Sequence, residues 1–247
     1  MSETPRTRRR RLPALVLALL GVAAATGGTI AIVADLKREP TSKEIKQAGA
    51  KEIATRWQNL KVAAIFPPTL DVTVSVVNYS AVTTVDPLQA IRRAAVAPPA
   101  GCAEAFDRKI ADILVKHGCR TALRATYVDA SGTMATTLGI AVMPGTDAAT
   151  RADTAIGAED EKAGVRTLPV RGTVAAGFGD GNRRQFHETG NDTPYLFFRS
   201  SGWLVARDRV KSAHMAETFQ FADTALGRVM RNFGDTEAPC RRQEVQC

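Results

Sequence analysis

The stretch GFGDGNRRQFHETGND, Gly177 to Asp192, gathers glycines, carboxylates, arginines and a histidine in sixteen residues. Gly177, Gly179 and Gly181 could turn backbone N–H groups toward an anion. A phosphate cradle, however, needs its glycines to lead into a helix, and strand-like sequence flanks these. A calcium loop needs carboxylates at regular spacing and a distal Glu. Asp180 and Asn182 begin that spacing, and Arg183 and Arg184 break it. His187 and Glu188 could form a general-base pair. Neighbouring residues on a loop rarely face each other, and no nucleophile is marked beside them. The stretch therefore reads as a polar loop whose Asp180, Arg183, Arg184, His187 and Glu188 contact a partner. The paired arginines suit an envelope protein or an acidic polymer.

No catalytic residue, cofactor or metal ligand is assigned elsewhere. There is no G-x-S-x-G elbow, and Walker and kinase signatures are absent. The three histidines do not cluster, and no C-x2-C pair exists for zinc. His117 sits where a helix end favours a cation, and His214 opens a helix. Phe197, Phe198 and Trp203 alternate in strand-like sequence and read as core rather than as a ligand pocket.

Four cysteines, Cys102, Cys119, Cys240 and Cys247, are candidates for disulfides in an oxidising compartment. Cys240 with Cys247 would close a small loop. Cys102 with Cys119 is the natural complement, but geometry objects. An unbroken helix over 103–117 would hold its ends more than about 20 Å apart, whereas bridged Cα atoms lie within about 7 Å. Either that helix is short and its start folds back, or the partners lie in the C-terminal tail.

The compartment is set by RTRRRRLPALVLALLGVAAATGGTIAIVADL, residues 6–36. Leu12 to Ala34 is a run of 23 uncharged residues. As a helix it would span the hydrocarbon layer of roughly 30 Å. The arginines ahead of it place the N-terminus in the cytoplasm. A cleaved leader, including a twin-arginine one, is the rival, with Ala23–Ala25 as the cutting site. The apolar run continues past Ala25, which a leader does not need and an anchor does. Formal charge is +8. The first eleven residues, with five arginines and one glutamate, carry half of it. The mild remainder argues against nucleic acid as a partner.

The expected organisation is a cytoplasmic tail (1–11), a transmembrane helix (12–34) and a juxtamembrane helix (35–64). An extracytoplasmic domain (65–235) and a C-terminal tail (236–247) follow. Apolar steps of three to five from Ile45 to Ala64 predict one helical face, capped by Thr41 or Ser42, with Trp57 packed on the domain. Val72, Val74 and Val76 alternate as a strand. Asp86-Pro87 with Gln89 predicts a capping box opening a helix to Ala95. APPAG at 97–101 reads as a break. A helix to Gly118, a hairpin turning at Asp129–Gly132 and a helix from Asp147 come next. A strand over Val165–Val174, a second hairpin through Ser201-Gly202 and a final helix from Met215 complete the pattern. This order predicts an α+β domain, an antiparallel sheet with helices on one face.

CAEAFDRKIADILVKHGCRTALRATYVDASGTMATTLGIAVMP (102–144), with IFP at 65–67, resembles actinobacterial single-pass membrane proteins of unassigned function. That resemblance implies a short basic tail, one anchor and an extracytoplasmic α+β domain. It brings no activity and no catalytic residues. A looser similarity, in element order alone, is to extracytoplasmic sensor or lipoprotein modules. The expected function is a binding, sensor or accessory module of the cell envelope. The alternatives are an envelope enzyme with a site near 177–192 and a secreted protein with a cleaved leader.

Overall fold

Strands β3 (Thr121–Val128) and β4 (Met134–Val142) are buried along nearly their whole length, as is β6 (Tyr195–Trp203). A strand buried on every residue needs cover on both faces of its sheet. That requirement sets the architecture of this computed structural model, which describes residues 41–73, 88–157, 163–204 and 218–234. The chain divides into two compact units, Met1–Lys46 and Gln47–Cys247. In the first, Thr41 accepts from the Glu44 N–H at 3.4 Å, and Glu44 Oε2 accepts from the Thr41 N–H at 2.7 Å. This reciprocal cap opens helix α1 (Ser42–Asn59).

The second unit is α+β. Its six strands form one antiparallel sheet in the order β1-β2-β3-β4-β6-β5. β1 is Thr69–Thr73, β2 Leu88–Val96 and β5 Arg183–Gly190. On one face Tyr195, Phe197, Leu138 and Ile140 pack with α6 (Gln220–Gly234), α2 (Val62–Ile65) and the later turns of α1. On the other, Phe198, Leu196 and Ala141 meet α3 (Cys102–Ala105), α4 (Arg108–Lys116) and α5 (Thr146–Gly157). Helices thus cover both faces rather than the one expected. Trp57, Phe197 and Phe198 belong to the core or pack on it, as their spacing implied.

Five local expectations are corrected, each for a tertiary reason. The helix expected from Asp86 to Ala95 is strand β2 over its described part. Pairing with β1 and β3, and full burial of Ile91, outweigh the helix propensity of its alanines. Of the two alternatives for 103–117, the unbroken helix is overturned: the segment splits at Phe106-Asp107 into α3 and α4. That break brings Cys102 and Cys119 to a Cα separation of 6.3 Å, and they form a disulfide. The Val165–Val174 strand is instead a strap laid across the sheet's second face. It makes a single bridge, Phe106 to Val165, and its carbonyls accept from side chains: Val165 from Ser200 Oγ (2.6 Å) and Leu168 from Thr126 Oγ1 (3.5 Å).

The hairpin at Ser201-Gly202 is the continuous end of β6. Gly202 is there for close approach: a Cβ would lie 2.0 Å from the Asn182 carbonyl oxygen, at the bulge where β5 meets β6. The loop expected at 177–192 is two short 3-10 turns, Val174–Gly177 and Asp180–Asn182, followed by β5. No helix among the described residues is long and apolar enough to cross a membrane. The run Leu12–Ala34, His214, Cys240 and Cys247 lie outside the described residues.

Candidate functional site

Among the described residues β5 is an edge strand, paired only with β6, and it distributes the predicted contact residues in different directions. Alternate residues of a strand face opposite sides of the sheet. His187 lies opposite Arg199 and Glu188 opposite Phe198. His187 therefore projects toward the α6 side, exposed, and Glu188 toward the α5 side. The strand separates the two residues, so a His–Glu base pair does not form.

Arg183 turns inward at the start of β5. Its guanidinium makes two parallel bonds to Asp107, Nη1 to Oδ2 at 2.7 Å and Nη2 to Oδ1 at 2.9 Å, and lies 5.2 Å from the Phe186 ring centre. Asp107 stands at the cap position of α4 but makes no cap bond. Its Oδ2 accepts instead from the Gly164 N–H at 2.9 Å, which ties the strap to the same pair. Asp180 Oδ1 accepts from the backbone N–H and hydroxyl of Thr167, at 2.8 and 3.0 Å. Arg184 donates to the carbonyls of Gly181 and Arg183. Asp180 and Arg183 are thus engaged within the fold, holding the strap and the edge strand to α4.

Glu188 is placed differently. Its carboxyl is bonded to that of Asp153 on α5, a partner from another element and of the same charge type. No cation is among the groups that shift it. Burial first, then the bond and the charge of Asp153, push the Glu188 carboxyl up to about 9. Its Oε1 is buried and has no hydrogen-bond partner among the described residues. Gly190 makes the approach feasible, since a Cβ there would lie 3.3 Å from Asp153 Oδ2. Beside the pair opens a cleft of about 150 Å³, lined among others by Thr150, Asp153, Asn191, Asp192 and Thr193. Asp192, at φ 55°, turns the β5–β6 hairpin. Asn191 Nδ2 donates to the Gly234 carbonyl at 3.2 Å, fixing that hairpin to the end of α6.

The arrangement favours a protonated Glu188 behind Asp153, and Asp153 is the member of the pair that lines the small polar cleft. A carboxyl held protonated can donate a hydrogen bond or a proton to a bound molecule. Among the described residues no group of three or more His, Cys, Asp or Glu side chains gathers to hold a metal ion. Asp153 carried no signal in the sequence. It lies 35 residues before Glu188, on a helix in which no polar residue was singled out. Asp107 sits at the break in the 103–117 segment, a position that the helical spacing did not mark. Searches of family models, curated proteins and solved structures found no match to the chain.

Proposed function

We propose that the chain is a single-pass protein of the plasma membrane, anchored through residues 12–34, with its N-terminus cytoplasmic. Its outer domain binds an envelope protein or acidic polymer as a sensor or accessory module. The observation that carries this reading is the Cys102–Cys119 disulfide, a bond that persists in oxidising compartments. The arginines ahead of an uncharged run of membrane length support the same orientation. A C-terminal alkaline phosphatase fusion should be active and a fluorescent-protein fusion dark; the reverse pattern removes the topology. A mature N-terminus near Thr26 replaces the anchor with a cleaved leader. Crosslinking in native membranes should yield a heterologous adduct, and recovery of monomer alone counts against the binding role.

A second reading, an envelope enzyme, is favoured by one observation: Glu188 is held protonated behind Asp153, which lines the cleft. Glu188 would act as general acid, with Asp153 holding its proton in place. Turnover lost in Glu188→Gln but kept in His187→Ala would support this reading. Activity indifferent to Glu188→Gln would end it.

A further inference from the structure

Arg124, on β3, is 8% exposed, and its Nε has no hydrogen-bond partner among the described residues. Native folds rarely leave a buried charged donor in that state. The neighbourhood shows why no internal acceptor reaches it. Arg124 lies two residues from Ala122, a member of the second-face core, so it projects under the strap. The strap's Val165 carbonyl is taken by Ser200 and Arg183, and its Leu168 carbonyl by Thr126. Asp180 Oδ1 is taken by Thr167 and lies 3.4 Å from Arg183 Nε. Asp107 is held by Arg183.

Arg124 is left with the fields of Glu104, Asp180 and Arg166. Arg166 is itself half-engaged: its side chain is 44% exposed and its Nε stands 3.9 Å from Asp107. Arg199 on β6 shows the contrast on the opposite face. That arginine, 2% exposed, bonds Asp223, Gln185 and Ser201.

We infer that Arg124 and Arg166 form a binding site for an oxyanion group, a carboxylate or a phosphate, entering between α3 and the strap. Arg124 supplies a desolvated, unpartnered Nε donor and Arg166 the exposed arm that captures the group. Glu104, exposed on α3, is the opposing charge that limits affinity at this mouth. The site is independent of the acidic cleft and of the membrane topology.

Equilibrium dialysis of the full chain in detergent against radiolabelled inorganic phosphate, and in a second arm against radiolabelled acetate, tests it at constant ionic strength. One saturable site is expected, and the arm that binds more tightly identifies the source. Arg124→Gln should abolish binding and Arg166→Gln weaken it about tenfold, which is about 1.4 kcal/mol. Glu104→Gln should tighten it severalfold, a gain that no misfolded variant would give. No saturable binding in either arm overturns the inference. So does equal binding by parent and Arg124→Gln, or an unchanged affinity in Glu104→Gln.

Discussion

Asp107 and Glu188 are both partly buried carboxyls on the same side of one sheet, and they meet opposite fates. Asp107 faces the fork of Arg183 and the N–H of Gly164, so its charge is matched and its oxygens are spent. Glu188 faces another carboxyl and no cation, so it keeps its proton. The difference is one of partners rather than of residue type. A carboxylate given an arginine becomes a structural joint, while one given an acid becomes a reservoir for a proton.

The largest expected effect comes from the scaffold under Asp107. Replacing Cys102 and Cys119 together by Ser opens a link across 17 residues and should cost about 3 kcal/mol in urea unfolding of the full chain. It should leave the pH response of the Glu188 side unchanged, and a change there would mean that the two regions are coupled. Asp107→Ala strands Arg183 without its acceptor. A loss of about 2 to 3 kcal/mol is expected, at the lower end for buried pairs because Asp107 is 23% exposed. An effect under about 0.5 kcal/mol would make the joint ornamental.

Glu188→Gln should act in the other direction. The folded chain holds the Glu188 proton up to about pH 9, against an ordinary value of 4.5. Between those limits the folded state binds one proton more than the unfolded state, so stability falls as pH rises through this window. The glutamine variant should equal the parent below pH 4.5 and gain on it steadily as pH rises from about 5 to 8. Unfolding at pH 4, 6 and 8 checks the slope, and parallel curves would mean that Glu188 titrates normally. His187→Ala, exposed on the far side of the strand, should change stability by less than about 0.5 kcal/mol.

The parts of the fold legible in sequence were those where local pattern and tertiary demand agree. The β3–β4 hairpin turned where Asp129–Gly132 promised, with Asp129 Oδ1 accepting from the Thr133 and Met134 N–H groups. Helix α5 began within one residue of the expected Asp147. The reading failed where a distant segment decides. β2 is a strand because β1 and β3 flank it, and Gly202 is a contact glycine rather than a turn glycine. The choice between helix-with-distant-cysteines and broken-helix-with-disulfide was visible; which one held depended on the packing of Phe106, fully buried against Phe198. Of the candidate residues, the sequence located the stretch but not its partition. Arg183 and Glu188 differ by five positions, and only their partners from α4 and α5 give them different chemistry.

β5 has a further property that none of its individual contacts explains. It is the last strand of the sheet, and its outer row of N–H and C=O groups is the kind of template on which chains add to one another. The register shift between Arg183 and Gln185 kinks that row. Arg184 and the exposed His187 add polar side chains along the same strand. The kink and the polar side chains of this strand would keep neighbouring copies from zipping together into fibres.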